Sequence, residues 1–147
     1  MALTKLRSGT GSDIWLADGD GKNLIQLTTN PANDSAPSWF PQNDRIAFLS
    51  DRDGKNKTLW SISFATGKEE PLIDLGESAA FAALSPDGKQ VAFNSNQSGT
   101  INLWIATMSG TEPKQLTFSE KDRMGFPCRS RDGQFLAFRL NTVRKDT

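Results

Sequence analysis

Histidine is absent from this chain of 147 residues, cysteine occurs once, and neither sign of charge is in excess. Without His there is no Ser-His-Asp or Cys-His nucleophilic site and no histidine-ligated metal. Cys128 alone cannot close an intrachain disulfide or furnish a zinc or iron–sulfur ligand set, and is expected as a small buried hydrophobe. Lys and Arg number 17, as do Asp and Glu, so no net field draws the chain to nucleic acid or to an anionic membrane. No apolar run approaches the ~18 residues of a spanning helix. The start, MALTKLRSGT, also lacks the apolar stretch of a secretory signal. As written, the expectation is a soluble cytoplasmic protein, or a periplasmic one from which a signal has been removed. The length suits one domain over 1–147.

What the chain does have is a repeat. Phe48, Phe93 and Phe138 are spaced by 45 and 45 residues, in the runs Ile46-Ala47-Phe48, Val91-Ala92-Phe93 and Leu136-Ala137-Phe138. Trp15, Trp60 and Trp104 follow at intervals of 45 and 44. A fixed period of this length marks a repeat architecture. Turns recur between the anchors. Ser85-Pro86-Asp87-Gly88 reads as a type I turn, with Pro41 and Asn43 holding the places of Pro86 and Gly88 one repeat earlier. Asn is the next best residue to Gly for a left-handed backbone. The third repeat keeps Asp132-Gly133 but carries Arg131 instead of proline.

Four short strands therefore fit each period, and no segment carries a helical pattern with caps. Inner strands are predicted near Ala36–Phe40, Ala80–Leu84 and Gly125–Arg129. Phe strands follow near Arg45–Ser50, Gln90–Ser95 and Gln134–Leu140. Trp strands are placed near Ser12–Ala17, Thr58–Ser63 and Ile101–Thr107, and outer strands near Asn23–Thr28, Glu70–Asp74 and Lys114–Thr117. Repeats of about 12–58, 59–102 and 103–147 result. Four strands per period is the blade of an all-β propeller, and stacking on both faces explains why the strands are apolar almost throughout.

The order of Pro37-Ser38-Trp39, Ile46-Ala47-Phe48, Ser50-Asp51-Arg52-Asp53-Gly54, Ser85-Pro86-Asp87-Gly88 and the closing Gln26-Leu27-Thr28 and Gln115-Leu116-Thr117 resembles the TolB-type β-propeller repeat. The resemblance covers most of residues 12–140. It implies a six-bladed architecture and a binding scaffold more than a reaction, since such propellers also gate hydrolases without catalysing anything themselves. No G-x-S-x-G nucleophile elbow is present.

Three blades do not close a ring, because propellers need roughly four to eight, and an open wedge exposes apolar sheet faces. By repeat phase the N-terminus offers a Trp strand and an outer strand, and the C-terminus an inner strand and a Phe strand. One expectation is a head-to-tail homodimer of six blades, in which these halves complete shared blades through Ile14, Trp15, Leu16, Phe126, Leu136 and Phe138. The turn-like Arg7-Ser8-Gly9-Thr10, and the loss of Gly from Asn141-Thr142-Val143-Arg144, agree with it. Ala2–Leu6 then has no place, being in phase with a strand that the partner supplies, and is expected displaced or disordered. The other expectation is a fragment of a longer propeller.

Candidate sites lie in the loops that enter the inner strands, at the channel mouth: Asn33, Asp34 and Ser35; Glu77 and Ser78; Lys121, Asp122 and Arg123. Their polarity and their variation between repeats suit recognition of a protein or peptide partner, or ordinary exposed loops. An enzyme or a carbohydrate-binding protein would instead use an acidic site of Asp34, Glu77 and Asp122. Asp18-Gly19-Asp20-Gly21 and Asp51-Arg52-Asp53-Gly54 lack the later ligands of a calcium loop and read as hairpin turns. Arg7, Arg52, Arg123, Arg129 and Arg131 are expected solvated or paired across blades, and Trp39 is the one aromatic considered for the channel. With no metal set and no cofactor motif, the sequence favours a non-enzymatic scaffold that needs no cofactor, binds no nucleic acid and enters no membrane.

Overall fold

Short β-favouring runs cut by Gly, Asn and Asp turns bury their faces only by pairing and stacking. The computed structural model describes residues 1–7 and 11–142, and in them every regular element is a strand. Ser8, Gly9, Thr10, Val143 and Arg144, part of the turn comparison above, lie outside the described residues. None of the described residues forms a helix long and apolar enough to cross a membrane. The chain divides into two compact units, Met1–Glu77 and Ser78–Thr147.

The first unit begins with a three-stranded sheet of β1 (Ala2–Leu6), β2 (Ser12–Leu16) and β3 (Ile25–Gln26) in that order. It continues with a complete four-stranded antiparallel meander of β4 (Asp34–Trp39), β5 (Arg45–Ser50), β6 (Thr58–Ser63) and β7 (Glu69–Asp74). Ile14 packs with Ile46, Phe48 and Ile62 between the two sheets, flanked by Ala2, Leu16, Leu27 and Trp60. The second unit repeats the meander in β8 (Ala80–Leu84), β9 (Gln90–Ser95), β10 (Asn102–Thr107) and β11 (Lys114–Gln115). It ends in a pair, β12 (Arg123–Arg129) and β13 (Leu136–Asn141), with β12 packed on β8, β9 and β10.

The turn ahead of each Phe strand has one geometry in all three repeats. Asn43, Gly88 and Gly133 have φ of 55°, 69° and 73°, and their amides donate to the carbonyls of Phe40, Ser85 and Ser130 at 3.0, 2.8 and 2.9 Å. Asparagine thus does the work of glycine in the first repeat.

The expectations for Ala2–Leu6 and Cys128 are corrected. Ala2–Leu6 is not displaced: it is β1, paired in register with β2 from Ala2 opposite Leu16 to Leu6 opposite Ser12. The chain thereby fills with its own residues the place that a shared blade gives to a partner strand. Ile14, expected at a dimer interface, is fully buried in its own unit. Cys128 is exposed, not buried. Its counterparts Ser38 and Ala83, on the complete meanders, are themselves only half-buried, and among the described residues the pair β12–β13 has no Trp strand or outer strand beside it. Phe138 is 42% exposed where its counterparts Phe48 and Phe93 are fully buried, whereas Phe126, at 48%, matches its counterpart Phe81, at 43%, on the complete meander.

Candidate functional site

Every inner strand carries one residue too many for its neighbour. The register shifts between Ser35 and Ser38 on β4, between Ala80 and Ala83 on β8, and between Gly125 and Cys128 on β12. Inside the three bulges sit Ala36, Phe81 and Phe126, with φ of 52°, 49° and 55°. These positions again recur every 45 residues. A left-handed phenylalanine costs roughly 1–3 kcal/mol and persists only where the ladder on both sides enforces it. Bulges of this kind re-aim side chains next to functional surfaces.

In the first unit the strand entry is closed by its own bonds. The Asn33 amide and Nδ2 donate to the two carboxylate oxygens of Asp51 at 2.8 and 2.9 Å, and Lys57 Nζ pairs with Asp51 at 2.9 Å. Partial burial raises the Asp51 pKa, but the bonds from Lys57 and Asn33 outweigh it and hold that carboxyl down at about 2. Asp34 is completely buried, and its carboxylate receives Arg52 Nη2 at 3.0 and 3.2 Å. Arg52 also pairs with Glu69 and lies 4.5 Å over the Trp60 ring. Burial opposes the Arg52 charge, yet the bond to Glu69 and the charge of Asp34 raise its pKa overall. The Ser12 hydroxyl donates to the Asp34 carbonyl at 2.8 Å, and Ser35 is half-buried opposite Leu49. Trp39 is 39% exposed and packs its ring 5.4 Å from that of Phe64.

Glu77 ends this unit, exposed to solvent. Ser78 opens the second unit, and its hydroxyl meets that of Ser95 at 2.6 Å while accepting the Asn96 amide at 3.2 Å. Lys121 is exposed, and the half-buried Asp122 gives its amide to Ser119 Oγ at 2.9 Å. Arg123, at the repeat position of Asn33 and Ser78, is exposed and makes no ion pair among the described residues. It lines a cavity of about 200 Å³ together with Phe81, Asn94, Phe126 and Arg139. The Phe81 and Phe126 rings lie 3.9 Å apart, and the Arg139 guanidinium sits 5.0 Å over Phe126.

Of the predicted mouth residues, then, Asn33, Asp34 and Ser78 are engaged in internal bonds and Arg123 faces a cavity. Phe126 and Leu136, expected at an interface, lie on the strand pair beside it, with Phe138 exposed; Trp15 and Leu16 are half-buried in the first sheet. Sequence reasoning missed Phe81, Asn94 and Arg139. The available signal was positional: Leu49, Asn94 and Arg139 occupy one place in successive repeats, apolar in the first and polar afterwards. Among the described residues no three Asp, Glu or Cys side chains are grouped to hold a metal ion.

Comparison with known proteins agrees with this architecture. The model of the TolB beta propeller domain matches residues 1–145. The Tol-Pal system protein TolB of Anaeromyxobacter dehalogenans is 28% identical over 116 residues, covering 78% of this chain and 26% of that protein. The uncharacterized peptidase YuxL of Bacillus subtilis is 22% identical over 171 residues, covering 92% of this chain and 26% of that protein. A solved structure described as a TolB, from Agrobacterium tumefaciens, superposes with a TM-score of 0.75 at 25% identity, over 93% of this chain and 48% of that one. The chain spans about a quarter of the length of these curated relatives. Blade-like meanders, a 45-residue period and the family match over nearly the whole sequence converge: the chain belongs to the TolB beta propeller domain family.

Proposed function

We propose that this chain forms part of a β-propeller that holds a protein partner at the end where its inner strands begin, without catalysing a reaction. The observation that carries the reading is the entry to β12. Where Asn33 and Ser78 are bonded to their own sheets, Arg123 is left exposed beside a cavity. A relative named for the Tol-Pal system supports a protein as the partner. The acidic-site alternative is poorly supported, since Asp34 is buried and bonded to Arg52 instead of facing solvent. A titration of the purified chain with purified Tol and Pal proteins, read by biolayer interferometry, tests the proposal. Saturable binding that weakens at least about tenfold when Lys121, Asp122 and Arg123 are replaced together is the expected outcome. Absence of binding to any of these proteins overturns it.

The two unfinished sheets also favour completion by further strands. Among the described residues the pair β12–β13 has no Trp strand or outer strand, and β1–β2–β3 has no inner strand. In the longer relatives more of the same polypeptide is there to supply them, and a fragment of a longer propeller is the reading with the stronger support. A homodimer reaches the same end only if the partner's β13 replaces β1 along β2. Light scattering decides between them: a single species of twice 16.1 kDa supports the dimer, and a monomer or a polydisperse aggregate supports the fragment.

A further inference from the structure

The cavity in the second unit, about 200 Å³ in volume, is smaller than the roughly 300–1,000 Å³ of clefts for drug-sized ligands, and suits one side chain with its flanking amides. Its wall is chemically unfinished. Asn94 is only 6% exposed, lines the cavity, and its Oδ1 has no hydrogen-bond partner among the described residues. A buried acceptor in that state is costly until a donor arrives. Arg123 and Arg139 line the same cavity, and neither has a carboxylate partner among the described residues. The stacking of Arg139 over Phe126 holds its guanidinium in place without neutralising it. Gly125 borders the Asn94 amide, where an added Cβ would lie 3.5 Å from Nδ2, so the approach to that amide is unobstructed by a side chain.

We propose that this cavity receives an acidic side chain of a peptide. The carboxylate binds between Arg123 and Arg139, a peptide N–H donates to Asn94 Oδ1, and the side-chain methylenes lie against Phe81 and Phe126. Guanidinium groups match a carboxylate in geometry as well as in charge. An acidic sugar fits less well. It needs a free aromatic face to stack on, whereas the two rings are 3.9 Å apart and occupy each other's inner faces. This assignment rests on the reading of a protein partner and narrows that partner to one presenting Asp or Glu.

The test is an NMR titration of the isotope-labelled 147-residue chain with acetyl-Gly-Glu-Gly-amide, followed at the Asn94 side chain and the Gly125 amide. Saturable shifts are expected. Affinity should fall at least about tenfold for acetyl-Gly-Gln-Gly-amide, and likewise in Arg123→Gln and Arg139→Gln chains. Asn94→Leu installs the residue of the first repeat, and should abolish binding while leaving the melting temperature equal or higher. A purely structural Asn94 would give the reverse, a lower melting temperature with binding intact, and that result overturns the proposal. So do equal responses to the two peptides, or no shift at millimolar peptide. Digalacturonate acting at lower concentration than the acidic peptide would replace the peptide by a sugar acid. If Tol or Pal proteins bind while the tripeptide leaves these signals unmoved, the pocket fails and the partner reading stands. If the tripeptide binds and no protein does, the pocket stands and the protein partner falls.

Discussion

The entries to β4 and β12 are the same piece of the repeat put to opposite uses. At β4 Asn33 is bonded to Asp51 just past the end of β5, the Asp34 carboxylate is buried against Arg52, and Leu49 is buried opposite Ser35, next to the bulged Ala36. At β12 the corresponding residues are Arg123, a bulged Phe126 and Arg139, facing the equally bulged Phe81 and Asn94 across a cavity, with Arg123 and the Asn94 Oδ1 left without a partner among the described residues. The backbone is held constant, bulge and left-handed residue included, while side-chain chemistry decides whether the position closes or stays available. Scaffold and site are thus separable inside one 45-residue unit.

Removing the arginine of the closed version should break the comparison most severely. Arg52→Met leaves the Asp34 carboxylate buried without its partner, and the expected cost is about 3–5 kcal/mol in urea unfolding of the first unit. Loss of the exposed Arg123, by contrast, should change stability by less than about 0.5 kcal/mol. Leu49→Asn comes next. It gives the first unit the amide that the second unit has, at a site 1% exposed, and should cost about 2–4 kcal/mol through lost packing and a buried polar group. A result near zero would mean that the first unit can open the same pocket.

The smallest effect is one of pH. The Asp51 carboxyl is held at about 2 in the folded chain, below its unfolded value near 3.9. Its contribution is therefore present in full above about pH 4 and is lost as pH falls through about 2. With the carboxylate still partly exposed, about 1–2 kcal/mol is expected. Asp51→Asn should flatten the acid limb of the stability profile in that window, and an unchanged limb would show that Asn33 and Lys57 add no net stabilisation.

Much of this fold is legible in the sequence because the Phe and Trp strands announce themselves: Arg45–Ser50, Thr58–Ser63 and Gln90–Ser95 match expectation residue for residue, as does one inner strand, Ala80–Leu84. The other two inner strands begin earlier than expected, at Asp34 and at Arg123, because polar residues at a strand entry look like loop. Asn94 escaped notice for the opposite reason. It follows Val91-Ala92-Phe93 in a strand that reads as core, and its lack of a partner is a property of three dimensions. Cys128 was misplaced since burial on β12 depends on neighbouring sheets that one strand's composition does not report. Ala2–Leu6 shows that phase outranks chain position. Its agreement with a Phe strand was legible, and it pairs as one.

The left-handed bulge on each inner strand has a consequence for diversification. Because Ala36, Phe81 and Phe126 occupy it without glycine, the conformation is imposed by the flanking ladder and does not depend on which residue is mounted there. Mutation at this point can exchange an alanine for an aromatic ring while the strand order stays untouched, as the complete meanders containing Ala36 and Phe81 already demonstrate. A propeller built this way can change what lines its pockets one blade at a time, with the cost of each trial confined to a single side chain.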